Sequence, residues 1–178
     1  MKFTFDYDAL CQAVTLAASS VPARAPQPLL TNLCFHIENG ICQITGGNGQ
    51  QMLTAICLVE GSGPCKFLLL ADTLSSLLRT CRSQPITLTV GQQIVIESYP
   101  ARFQFNLQDS ANYPIHENAV GSSAIADAHL TVKSSELAQA IDRVLFVADT
   151  PRLARAVESP CMLWRFEDGR LVFAAIDG

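Results

Sequence analysis

An amphipathic stripe, Leu10, Ala13, Val14 and Ala17, returns 127 residues later as Leu137, Ala140, Ile141 and Val144. Both sets fall at i, i+3, i+4 and i+7, one face of a 3.6-residue period, so each predicts a helix. The surroundings return as well. Phe3-Thr4 corresponds to Leu130-Thr131, and a loop with proline and arginine follows each helix (Arg24 in the first, Arg152 and Arg155 in the second). Glu38-Asn39-Gly40 then corresponds to Glu167-Asp168-Gly169 at a displacement of 129, and Gly46 to Gly49 align with Ala175 to Gly178. Strand, helix, loop, strand, turn and strand in one order at near-constant spacing mark a structural duplication. The chain thus reads as a complete domain over 1–122 and the N-terminal part of a second copy over 123–178. Leaving a helix stripe in water costs roughly 1.5–3 kcal/mol per large apolar side chain. The helix of the shorter copy is therefore expected to pack against the first domain or another chain, or to belong to a longer protein. The last is the favoured expectation.

The first copy reads as β-α-ββββ-α-βββ, an α+β fold with antiparallel sheets on one side and two helices on the other. A strand over Lys2–Asp6 leads to a helix over Asp8–Ala18, and Pro22, Pro26 and Pro28 then force a loop. Leu33, Phe35 and Ile37 share one strand face, with Cys34 and His36 on the other. Asn39-Gly40 signals a tight hairpin before Ile41–Thr45. Gly46-Gly47-Asn48-Gly49 punctuates again, ahead of strands at Met52–Val59 and Lys66–Leu70. A second helix is predicted over Asp72–Arg82 with Asp72 as its N-cap. Its stripe is Leu74, Leu77, Leu78 and Cys81, leaving Ser75, Arg79 and Arg82 on the polar side. Alternation at Ile86/Leu88/Val90, Ile94/Ile96 and Phe103/Phe105/Leu107 completes the set, each sheet having one buried and one wet face. Residues 109–127 lack periodicity and read as a linker.

Composition bounds the function. With 49% hydrophobic and 16% charged residues the chain is not disordered. Its apolar runs, such as Phe67–Ala71, are too short to span a bilayer, and MKFTFDYDAL lacks the basic start and apolar run of a secretory signal. Seven cysteines in no C-x-x-C pair read as reduced, small hydrophobes, which points to the cytoplasm. Sixteen acids against twelve bases exclude a wholly basic nucleic-acid binder but not one that confines its arginines to one surface. No G-x-S-x-G, P-loop, paired carboxylates or metal-ligand cluster occurs, so no catalytic residue, metal or cofactor is expected. Gly46–Gly49 has neither the following helix nor the lysine of a phosphate loop. His36, His116 and His129 are scattered, and a Cys–His hydrolase through Cys11 or Cys161 is the enzymatic alternative.

The opening MKFTFDYDALCQAV, the run Pro28-Leu29-Leu30-Thr31-Asn32-Leu33 and Ile44-Thr45-Gly46 resemble the bacterial DNA polymerase III beta subunit, the sliding clamp. So do Ala101-Arg102-Phe103 followed by Tyr113-Pro114, and the terminal Ala174-Ala175-Ile176-Asp177-Gly178. The resemblance implies a chain of three similar domains, two chains joining head to tail around duplex DNA, with helices lining the hole. It implies partners in the full-length protein: DNA held through its phosphates, the polymerase, the clamp loader and a second copy. On it, Arg24 corresponds to a DNA-contacting loop arginine, Arg79 and Arg82 lie on the hole-facing helix, and Arg152 and Arg155 lie near a further contact region. Ile176 and Gly178 match the segment that begins one wall of a cleft for partner peptides. Two departures stand out: the first helix carries no basic residue, and Asp72 lies close to where many relatives are basic. A clamp-derived, β-rich interaction module that forms no ring is the alternative.

Overall fold

The computed structural model describes residues 1–25, 27–49, 51–61, 63–81, 85–114, 131–148 and 162–175. The chain divides into two compact units, Met1–Val120 and Gly121–Gly178. The first contains β1 (Lys2–Phe5), α1 (Tyr7–Ala18), a 3-10 turn (Pro28–Thr31), β2 (Asn32–Glu38), β3 (Ile41–Gly47), β4 (Met52–Leu58) and β5 (Glu60–Gly61). It continues with β6 (Cys65–Leu70), α2 (Ala71–Thr80), β7 (Ile86–Val90), β8 (Gln93–Ser98) and β9 (Ala101–Asn106). The order matches the expected one with a two-residue strand, β5, added. Among the described residues no helix is long and apolar enough to cross a membrane.

Two antiparallel sheets form, in the orders β5-β1-β7-β8-β9 and β4-β3-β2-β6. One core joins them to both helices. Phe3 and Phe5 of β1, Ile86 and Leu88 of β7, and Ile94 and Ile96 of β8 meet Leu33, Phe35 and Ile37 of β2 with Cys42 and Ile44 of β3. Phe35 and Phe67 are register partners across β2 and β6, and their rings stack at 4.9 Å. The stripes Leu10, Ala13, Val14, Ala17 and Leu74, Leu77, Leu78 are all buried in this cluster. Each large side chain removed from water contributes roughly 1.5–3 kcal/mol, so the two helices are held by burial more than by propensity.

Asp6 caps α1: its Oδ1 accepts from the Ala9 amide at 2.9 Å. Two local expectations change. The helix α2 begins at Ala71 with Leu70 in the cap position and no side-chain cap, so Asp72 sits in the first turn, where a carboxylate favours the positive helix end. Gly46 and Gly47 belong to β3, and the turn follows them. The reason is close approach. A Cβ at position 46 would collide with the Ala17 carbonyl and come within 2.8 Å of Val21 Cγ2, so glycine lets the end of α1 settle on the strand.

The reverse face of the second sheet is not uniformly wet. Cys34 and Leu68 are buried there beneath Tyr113, which is 4% exposed. The Tyr113 hydroxyl donates to the Asn32 carbonyl at 2.9 Å, and Ser110 Oγ contacts the Lys66 carbonyl at 3.4 Å. The start of the expected linker therefore belongs to the packed first unit; residues 115–127 lie outside the described set. A polar, aperiodic segment conceals this because a single aromatic side chain supplies its buried apolar anchor.

The second unit, by itself, contains α3 (Ser134–Ala148) packed on a hairpin of β10 (Met162–Glu167) and β11 (Arg170–Ala175). Its turn residues Asp168 (φ 51°) and Gly169 (φ 72°) repeat the left-handed geometry of Asn39 (φ 53°) and Gly40 (φ 76°). The displacement of 129 sets Met162, Trp164 and Phe166 against Leu33, Phe35 and Ile37. Those three are at most 2% exposed in the first unit, whereas Trp164 and Phe166 are 53% and 56% exposed. Trp164 packs edge-on to Phe173 at 4.8 Å. Leu137, Ala140, Ile141 and Val144 of α3 are only half-buried, so the costly exposure anticipated for this helix stripe is partial.

Replacing Gly46 by Ala is expected to destabilise the first unit by about 1–3 kcal/mol, through overpacking against α1, in urea unfolding. Alkaline titration provides a second check. Burial raises Tyr113 to about 12 and Cys34 to about 11. Both groups are neutral when folded, so their contribution is fully present below the unfolded values of 9.0 and 10.0 and is lost as pH rises through the folded ones. Tyr113→Phe should flatten the fall in stability between pH 10 and 12 while costing about 1 kcal/mol at neutral pH.

Candidate nucleic-acid interface

The helices α1 and α2 pack beside one another, α1 over β3 and β4 and α2 beside β6. With both stripes turned inward, their outer residues form a shared surface. From α1 these are Asp8, Gln12, Thr15 and Leu16, with Ser19 as its C-cap; from α2 they are Asp72, Thr73, Ser76, Arg79 and Thr80. Among the described residues, Arg79 is the one cation on this helix pair, and Leu16 is 53% exposed. The surface is thus weakly acidic, with Asp8 and Asp72 together outweighing the arginine.

Arg24 is exposed in the loop between α1 and the 3-10 turn. Neither Arg24 nor Arg79 has an ion-pair partner among the described residues. Arg102, by contrast, lies 3.5 Å from Glu97, and Arg165 lies 2.9 Å from Glu167. An unpaired guanidinium keeps its fork of donors free for an anion such as phosphate. Arg143 is exposed on α3 beside Asp142. Arg82, Arg152, Arg155, Ile176 and Gly178 lie outside the described residues.

Between α1 and α2 runs a groove of about 480 Å3. Tyr7, Cys11, Val14, Thr15, Ala18 and Ser19 form one wall, and Ser75, Leu78 and Arg79 the other. Tyr7 bridges the helices by donating from its hydroxyl to the Leu78 carbonyl at 3.0 Å. The hydroxyl residues of this groove, Thr15, Ser19 and Ser75, were not singled out from sequence as site residues. Each helix shows them only as ordinary polar positions, and nothing within either helix specifies that the two lie side by side.

The thiols of Cys11, Cys34, Cys42 and Cys65 are not poised for nucleophilic attack. Burial raises Cys11, Cys65 and Cys34, the last to about 11. Cys42, a register partner of Cys57 across β3 and β4, is raised by its hydrogen bond to that thiol and by burial. A thiol held protonated at neutral pH is a poor nucleophile. His36 is exposed on β2, 3.9 Å from Glu38, while Cys161, His116 and His129 lie outside the described residues. Among the described residues no group of three His, Cys, Asp or Glu side chains could hold a metal ion.

The family profile described as DNA polymerase III beta subunit, N-terminal domain, matches residues 1–117. The solved DNA polymerase III subunit beta from Pseudomonas aeruginosa superposes with a TM-score of 0.85 at 23% identity, covering 100% of this chain and 47% of that one. The sliding clamp from Bacillus subtilis gives 0.83 at 21% identity, covering 99% of this chain and 47% of that one. The beta subunit from Streptococcus pyogenes gives 0.77 at 16% identity, over 93% and 44%. These likenesses establish the fold, and the chain spans about half the length of the structures it matches. Comparison with curated protein sequences returns no significant match.

Because Arg24 and Arg79 are exposed and have no ion-pair partner among the described residues, Arg24→Ala and Arg79→Ala should each leave unfolding free energy within about 0.5 kcal/mol of the parent in urea titrations. A larger loss at either position would assign that arginine to the fold instead of to an anion.

Proposed function

Because the chain belongs to the DNA polymerase III beta subunit family, we propose that it serves as part of a sliding clamp, a non-catalytic ring that encircles duplex DNA and tethers the replicative polymerase. The observation that carries this reading is the N-terminal family match joined to the second unit's repeat of the first: helix, then hairpin, with the same left-handed turn residues at Asp168 and Gly169. Repeated modules of one curvature are what a ring assembled from domains requires. We place the first module at 1–122 and the start of the second at 123–178, in an assembly where two chains join head to tail. The polymerase and the clamp loader are its protein partners, and it works in the cytoplasm. Ile176 and Gly178 would begin one wall of the cleft for partner peptides.

Sliding demands attraction to phosphate without readout of bases, because phosphate contacts carry no sequence information. Arg24 and Arg79, exposed and without an ion-pair partner among the described residues, suit that task, and Arg82, Arg152 and Arg155 are assigned to it with them. Asp8 and Asp72 on the same helix pair hold the attraction down, so binding by the 178-residue chain is weak and salt-sensitive. A second reading, a clamp-derived interaction module that closes no ring, draws on the exposed Trp164 and Phe166, which offer an apolar face to a partner.

The deciding experiment loads the full-length protein with its clamp loader onto nicked circular DNA and measures retention before and after linearisation. Loss on linearisation is expected of a topological tether; equal retention on both would sink the ring and leave the interaction module. For the 178-residue chain, duplex affinity should fall steeply with salt, and Arg24→Ala should lower the slope of log K against log salt by about 0.9, the value of one phosphate contact.

A further inference from the structure

The groove between α1 and α2, at about 480 Å3, lies within the size of small-molecule sites, roughly 300–1,000 Å3. Its floor is apolar, formed by Val14, Ala18 and Leu78. The Tyr7 ring stands as a fixed wall because its hydroxyl is committed to the Leu78 carbonyl, which keeps the ring from filling the space. The rim is of a different character. Arg79 carries a guanidinium with no ion-pair partner among the described residues, and Thr15 and Ser75 bring hydroxyls that bond to no other described group. Ser19 donates to the Leu16 carbonyl at 2.7 Å, which leaves its oxygen as an acceptor. An apolar floor beneath one free cation and several hydroxyls complements a ligand that is flat and apolar at one end and anionic at the other. Inorganic anions would gain from the rim alone, and neutral hydrocarbons from the floor alone.

We propose that this groove is a binding site for a small aryl anion, its ring on Val14, Ala18 and Leu78 and its charge on Arg79 with the Thr15 and Ser75 hydroxyls. The binding does not depend on how the protein meets DNA. Its consequence rests on the proposed function: an occupant would sit on the helix pair turned toward the duplex and would compete with it.

Phenyl phosphate is the probe, titrated into the isotope-labelled 178-residue chain beside inorganic phosphate, with amide shifts as the readout. Saturable shifts confined to α1 and α2 are expected, with phenyl phosphate binding about tenfold or more tightly than inorganic phosphate. Arg79→Gln should weaken it by about tenfold or more, the loss of a charge-assisted hydrogen bond. Ser75→Phe, which fills the groove, should abolish it, and Arg102→Gln on β9 should leave it unchanged. The spectra of the variants report their folding directly. Equal affinity for both anions, binding that survives Arg79→Gln or Ser75→Phe, or no saturable shift at millimolar ligand would each overturn the site. Competition with duplex DNA is measured separately: groove binding without competition removes the consequence and keeps the site, while loss of circle-dependent retention strikes the clamp reading alone.

Discussion

At position 46 the last turn of α1 lies so close to β3 that a hydrogen fits and a methyl group does not. That contact sets how deeply α1 sinks into the second sheet, and therefore where Leu10, Ala13, Val14 and Ala17 meet Phe35, Ile44 and Ala55 in the shared core. The helix α2 is placed by the same core through Leu74, Leu77 and Leu78, and the Tyr7 hydroxyl ties it to α1. Once both stripes face inward, the outer faces of the two helices necessarily lie together. The groove, the exposed Arg79 and the weakly acidic surface all follow from burial on the opposite side.

The second unit shows how much of such a fold depends on what covers it. Its hairpin has the first unit's turn dihedrals, and its apolar residues stand at matching positions in the pattern. Yet Trp164 and Phe166 remain more than half exposed where their counterparts Phe35 and Ile37 are buried. Local conformation is specified by a few turn residues and by alternation, while burial requires the remaining layers. In the first unit those layers are supplied by β4 to β9 and α2. Matching local structure with unequal burial is what a repeated sequence produces when the two copies are unequally covered.

Fold and site were legible to different degrees. The stripe spacing, the Asn39-Gly40 turn and the strand alternation revealed nearly every element of the first unit, because each is encoded within a few neighbouring residues. The errors had a common cause. Gly46 read as turn punctuation because only the approaching helix explains a glycine inside a strand. Tyr113 disappeared into an apparent linker because its partners, Asn32 and Leu68, are remote in sequence. Asp72 suggested a cap because an acid before an apolar stripe is an ordinary cap signal, yet the helix starts one residue earlier. Arg24 and Arg79 were visible as candidates; their lack of an ion-pair partner among the described residues was not, since that depends on which acids the fold brings near.

What the sequence determined by itself, then, was the periodic content: two apolar helix stripes, alternating strands, a hairpin turn with left-handed residues, and the return of that pattern about 127 residues on. Periodicity is a property of neighbours along the chain, so it survives without a structure. Tertiary structure alone decided the strand order β5-β1-β7-β8-β9 beside β4-β3-β2-β6, the seating of Tyr113 over Cys34, and the pairing of α1 with α2 around a groove. Each of these joins residues far apart in the chain, and which distant surfaces meet is settled by the burial of the whole core.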